Sequence, residues 1–231
     1  MSDATTRVLL ADDHALLLDG LRRMIERVEG FEVVATVETG RAAVEAVRDF
    51  EPDVVLLDLA LPELNGIDAC EKIKSRHPDV AVMILSGYSQ EDYVLDALRV
   101  GALGYVLKSA SSQELERALR AAARGKRYLS PEVSGAVVDG FLGKDRQKPM
   151  RERLTLRQRE IVQLICEGCT TPQIAERLSI AAKTVETHRT NLMKVMDVRD
   201  VVNLVKVAYK EGLVVEDDVS GGPNLTARTP G

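Results

Sequence analysis

The sequence contains no uncharged apolar run approaching the ~20 residues that cross a bilayer, and residues 1–6 lack the basic start and apolar stretch of a secretory signal. We therefore expect a cytoplasmic protein with no membrane partner. Cysteine is scarce. Cys70, Cys166 and Cys169 make an odd set, and in a reducing compartment no disulfide framework is expected. Cys166-Glu-Gly-Cys169 has the spacing of a redox motif or of half a zinc site. No second pair accompanies it, however, and His188 alone leaves a tetrahedral set incomplete.

What is present suits two ordinary domains: 231 residues, 45% of them hydrophobic. The net charge of −5 hides an asymmetry. Residues 1–150 carry 19 Lys+Arg against 25 Asp+Glu, whereas residues 151–212 carry 11 against 8. An acidic first part and a basic second part point to different partners, the basic one a candidate for phosphate backbones.

Short apolar runs at residues 8–11, 31–37, 54–57, 80–85 and 104–107 read as buried strands. Stretches with apolar residues at helical spacing lie between them, such as Leu17, Leu21, Met24, Ile25 and Val28. The fifth such stretch opens on the capping-box pattern Ser111-Ser112-Gln113-Glu114. Strands alternating with helices imply a parallel sheet covered on both faces. Residues 126–150 have weaker periodicity and read as a linker with a helical part. From residue 151 to 214 the pattern is helical throughout. Thr171 is expected to cap a short helix with Pro172 at its first position, and a longer helix runs from about residue 182 to 196. Residues 215–231, rich in Gly, Pro and Thr, read as a disordered tail.

Ligands of an open parallel sheet bind beyond the carboxyl ends of its strands, and the polar residues collect there. Asp12 and Asp13 follow the first strand, Asp58 the third, Ser86 the fourth and Lys108 the fifth. Gathered carboxylates repel unless a cation neutralises them, and an all-oxygen set with open positions suits Mg2+. A carboxylate beside such a metal can attack a phosphoryl group, with Lys108 and the Ser86 hydroxyl stabilising the phosphoryl oxygens. Any one of these residues alone would read as a cap, a turn residue or a solvated lysine. The conjunction at four strand ends is what carries the inference.

Residues 6–125 resemble a response-regulator receiver domain. The likeness rests on Leu10-Ala11-Asp12-Asp13-His14, Leu57-Asp58-Leu59-Ala60-Leu61-Pro62-Glu63-Leu64-Asn65-Gly66, Ser86-Gly87 and Tyr105-Val106-Leu107-Lys108. The resemblance implies a flavodoxin-like α/β fold with a five-stranded parallel sheet of order 2-1-3-4-5. It also implies Asp58 as phosphoacceptor, with Asp13, Asp58 and the Ala60 carbonyl on magnesium, Asp12 acting through water, and Ser86 and Tyr105 as the switch. Tyr105 would turn inward as Ser86 moves to the phosphoryl group. Ser109 follows Lys108 where proline is usual, so no cis peptide is assumed there.

Residues 171–195 read as helix, short turn and longer helix, an arrangement that can seat its second helix in a major groove. Periodicity alone leaves a packing module equally open. The segments Leu154-Thr155-Leu156-Arg157-Gln158-Arg159-Glu160, Ile174-Ala175-Glu176-Arg177-Leu178 and Lys183-Thr184-Val185-Glu186-Thr187-His188-Arg189-Thr190-Asn191 resemble the LuxR-type helix-turn-helix. Together the two resemblances imply a NarL/FixJ-type two-component response regulator: a receiver followed by an all-α DNA-binding domain over residues 151–214, a transcription regulator and not an enzyme. They imply a cognate sensor histidine kinase, duplex DNA and a homodimer on DNA as partners. Lys183, Thr184, Glu186, Thr187 and Thr190 would face DNA, with Arg189 and Lys194 at phosphates. Glu186 is suited to a cytosine amino group. Val201, Leu204, Val205 and Ala208 on the last helix are candidates for the dimer seam. Ala181 stands where a capping serine is usual, and Asp197 where glycine is commoner. A dehalogenase-like phosphatase is the enzymatic rival, but Ala60 occupies the place of its second carboxylate. RNA or protein binding is the rival for the helical half.

Overall fold

The computed structural model describes residues 5–142 and 149–215. The expected tail, apart from Val215, and residues 143–148 of the expected linker lie outside the described residues. The chain opens with five strand and helix units: β1 (Thr6–Ala11), α1 (Ala15–Ile25), β2 (Phe31–Val37), α2 (Gly40–Phe50), β3 (Val54–Asp58), α3 (Gly66–Arg76), β4 (Ala81–Ser86), α4 (Glu91–Arg99), β5 (Gly104–Leu107) and α5 (Ser112–Ala122). All strand pairings are parallel. Because successive strand residues point to opposite faces, each apolar run feeds two cores. Leu9, Val55, Leu57 and Ile84 pack with α2, α3 and α4, whereas Val8, Leu10, Leu56 and Met83 pack with α1 and α5. This double burial is why β3 and β4 lack a polar face.

The sheet order is β2-β1-β3-β4-β5-β6, one strand longer than expected. The addition, β6 (Tyr128–Leu129), lies in the segment read as linker and pairs with β5. Two residues are too few to show a period, so the strand was invisible to patterning. Ser130 anchors it: the wholly buried hydroxyl donates to Glu114 and accepts from the Leu107 amide. Val133, on α6 (Pro131–Leu142), is buried in the same core.

The second part is helical: α7 (Met150–Arg153), α8 (Leu156–Cys166), α9 (Thr171–Arg177), α10 (Ala182–Val195) and α11 (Val201–Lys210). Its separate core contains Ile161, Leu164, Ile174, Val185 and Leu192. Thr155 caps α8 in a capping box with Gln158, and Asp200 caps α11 by accepting from the Asn203 amide. The cap of α9 is Thr170, one residue before the expected Thr171; the Gln173 side chain reaches back to accept from the Thr170 amide at 2.8 Å. Asp197 adopts a left-handed φ of 52°, which explains the usual preference for glycine there. The seam expected on α11 needs correction. Leu204 and Ala208 are wholly buried in the helical core, since that face covers α8, while Val201 and Val205 lie at its margin and Val202 is 64% exposed. Among the described residues no helix is long and apolar enough to cross a membrane.

Candidate functional site

The parallel strands bring their carboxyl ends to one edge, and the expected acidic pocket forms there. Asp58 is the last residue of β3 and Ser86 the last of β4; Asp12, Asp13 and Lys108 follow β1 and β5 directly. Lys108 Nζ stands 2.7 Å from Asp12 Oδ2 and 3.1 Å from Asp58 Oδ1. Both aspartates are almost fully buried. Burial pushes the Asp58 carboxyl up to about 6; Lys108 opposes the shift, and the charge of Asp12 adds to it. Burial alone would lower the Lys108 ammonium, but Asp58 and Asp12 outweigh it and hold the group above its ordinary value.

The local chain is shaped around this pocket. A Cβ on Gly66 would lie 2.1 Å from the Asp58 carbonyl oxygen, so only glycine lets α3 start so close behind the end of β3. Ala60, Gly87 and Tyr88 line the same concavity as Asp58 and Lys108. The Ser86 hydroxyl accepts from the Tyr88 amide at 3.0 Å. Tyr105 lies inward, fully buried, and its hydroxyl donates to the Tyr88 carbonyl at 2.7 Å. Burial raises its phenol above the ordinary value.

His14 belongs to the site although its residue type did not single it out. Its Nδ1 lies 2.8 Å from Asp13 Oδ1 and 3.2 Å from Asp12 Oδ1, and its amide donates to Asp12 Oδ1. Asp12, Asp13 and His14 present ligand atoms close enough together to hold a metal ion. Asp12 Oδ2 and Asp13 Oδ1 are shut away from solvent with ionic neighbours but no aligned hydrogen bond. That is the condition a hard cation relieves, and the carboxylate-dominated donor set fits one. Burial pushes the Cys166 thiol up to about 12.

The second expected site lies on α10. Val185 and Leu192 are buried, while Lys183, Thr184, Glu186, Thr187, Thr190 and Lys194 are exposed. Positions 183, 186, 187 and 190 share one helical face. Lys183 Nζ pairs with Glu186 at 3.1 Å, and the Thr187 and Thr190 hydroxyls donate to backbone carbonyls one turn back. Arg189 is half-buried and donates to Thr171 Oγ1 at 3.0 Å, tying α10 to the start of α9. Ala181 caps α10 without a side-chain hydrogen bond. The two sites thus sit in separate cores, joined where α3 meets α8.

Comparison with known proteins agrees with this division. Residues 8–120 match the response regulator receiver domain family, and residues 152–208 match the LuxR family of bacterial regulatory proteins. The chain is 34% identical to the transcriptional regulatory protein DegU of Brevibacillus brevis over 90% of its own length and 94% of that relative's. It is 35% identical to the oxygen regulatory protein NreC of Staphylococcus carnosus, covering 90% of this chain and 99% of that one. Among solved structures, a LuxR-family two-component response regulator from Aurantimonas sp. aligns at a TM-score of 0.58 and 34% identity, over 61% of this chain and all of that one. RcsB from Salmonella enterica serovar Typhimurium, bound to a promoter with a phosphomimetic, aligns at 0.58 and 25% identity over 88% and 97%.

Proposed function

The chain belongs to the response regulators that join a receiver domain to a LuxR-family DNA-binding domain, and from that premise we propose that a sensor histidine kinase phosphorylates Asp58 to control sequence-specific binding to duplex DNA. The chain is a transcription regulator and not an enzyme on external substrates. The observation that carries the proposal is Lys108 poised between Asp12 and Asp58 at the carboxyl edge of the sheet. An Asp58 carboxylate oxygen forms the new P–O bond as the P–N bond of a phosphohistidine breaks, and the electron pair stays on the departing imidazole nitrogen. Lys108 and Ser86 then hold the phosphoryl oxygens. Asp13, Asp58 and the Ala60 carbonyl, with Asp12 through water, would bind magnesium, which supplies positive charge against those oxygens. Ser86 and Tyr105 transmit the change to the face made by α4, β5 and α5.

On DNA, two chains place their α10 helices in adjacent half-sites, as two-fold recognition requires. Lys183, Thr184, Glu186, Thr187 and Thr190 face the bases; Arg189 and Lys194 serve the backbone. The seam falls to Val202, flanked by Val201 and Val205, because Leu204 and Ala208 are used inside. The protein acts in the cytoplasm. The test is a salt-dependent mobility shift on duplex DNA selected by the intact protein, with and without a small phosphodonor and Mg2+. Phosphorylation should raise affinity in the wild type and not in Asp58→Asn; an equal rise in both would refute Asp58 as the acceptor.

A further inference from the structure

Resting on that reading, Thr171 has a task that its place at the start of a helix does not announce. The cap of α9 is its neighbour Thr170, so the Thr171 hydroxyl is not needed to close the helix start. It turns to α10 instead, where Thr171 Oγ1 accepts from Arg189 Nη1 at 3.0 Å. The contact ties the first residue of one helix to the middle of the next, 18 positions further along the chain.

Arg189 occupies a border position on α10. At ~100° per residue it falls between the buried row of Val185 and Leu192 and the exposed face of Lys183, Glu186, Thr187 and Thr190. In a helix-turn-helix the second helix enters the major groove while the first crosses the phosphate backbone. The border of α10 that leans on the start of α9 is therefore the one that meets phosphates, whereas the exposed face meets base edges. Charge agrees with that placement. The one carboxylate of α10, Glu186, pairs with Lys183, and among the described residues no carboxylate forms an ion pair with Arg189. Its guanidinium is fixed at one corner by a neutral hydroxyl. The edge made by Nε and Nη2 remains for an anion, and two parallel N–H donors are the geometry that takes a phosphate in two hydrogen bonds at once.

We propose that Thr171 is a positioning residue for DNA binding: it holds the Arg189 guanidinium at the junction of α9 and α10, so that the Nε–Nη2 edge is presented to one phosphate of the duplex. A long side chain loses rotamer freedom when it docks on a phosphate, and one already tethered loses less. The hydroxyl acts through Arg189 and not by touching DNA. Because phosphates carry no sequence information, the contribution is uniform over sequences, unlike that of Glu186.

The experiment uses the full chain with a small phosphodonor and Mg2+ present. Fluorescence anisotropy is read on two labelled duplexes, the one selected by the intact protein and a scrambled one, between about 50 and about 200 mM salt. Thr171→Val removes the acceptor and keeps the shape. It should weaken binding to both duplexes about fivefold, and Thr171→Ser, which keeps the hydroxyl, should restore wild-type affinity. Arg189→Ala should lower the slope of log K against log salt by about one, the loss of a single phosphate contact. In the Arg189→Ala background Thr171→Val should then have no further effect, a non-additivity that a merely structural role does not produce. Thermal melts check that each variant folds. Equal losses from Thr171→Val with and without Arg189, or wild-type affinity in Thr171→Val, would overturn the positioning role. An unchanged salt slope in Arg189→Ala would overturn the phosphate contact. A wild-type chain that binds neither duplex would instead overturn the functional reading beneath it.

Discussion

The two sites of this protein are built on opposite terms. The acidic pocket is buried, crowded and held from every side, with Lys108 on two aspartates, a glycine pressed against the Asp58 carbonyl and Tyr105 sealed beneath. The reading face of α10 is open, and its exposed side chains bond mostly to their own helix. The difference reflects what each must do. Phosphoryl transfer needs groups placed before the reaction begins, because reorganisation would be charged to the barrier. Base reading needs groups free to meet a partner that supplies the missing hydrogen bonds.

The largest expected effect tests whether the two parts are energetically separate. Leu192 is fully buried in the helical core, so Leu192→Ala should cost about 3 kcal/mol there. Thermal unfolding would then split, the receiver keeping its own transition. A single shifted transition would show that the two cores unfold as one.

Preorganisation is tested next by Gly66→Ala, whose added Cβ must move the backbone behind Asp58. Displacement of that order should slow phosphorylation from a small donor about 100-fold while leaving α10 to bind nonspecific DNA normally. Unchanged phosphorylation kinetics would mean that the loop adapts freely and the pocket is less rigid than its packing indicates.

The open face should respond in the other way. Glu186→Ala is expected to alter base preference by about 1–2 kcal/mol at one position of the site, with no effect on phosphorylation; a uniform gain on all sequences would assign Glu186 to phosphate repulsion instead. The smallest change is Ala181→Ser, which supplies the side-chain cap α10 lacks. It should stabilise the helical domain by about 1 kcal/mol, measured as a raised Tm of its transition alone.

Much of the pocket was legible because its placement follows from topology. Once residues 54–57 and 104–107 are read as parallel strands, Asp58 and Lys108 fall at one edge whatever the packing detail. Other features were not legible, each for a physical reason. Residues 128–129 form a strand only because β5 offers an edge. Leu204 and Ala208 could not be told from an interface by pattern, since a core face and a dimer seam have the same apolar period. His14 lay within the quoted motif, but only coordinates show its ring on Asp12 and Asp13.

The order of the units, the chemistry of the strand ends and the character of the recognition helix were determined by sequence alone, because they depend on local period and on residue type. The hydrogen bonds of Gln163 with the loop after Asp58 and the burial of Asp68 between Arg151 and Arg159 were decided only by tertiary structure. In sequence those residues look like solvated positions far apart along the chain, Asp68 and Arg159 being separated by 91 residues. Only when the two cores dock are they desolvated together, and desolvation is what turns ordinary surface charges into a directional contact.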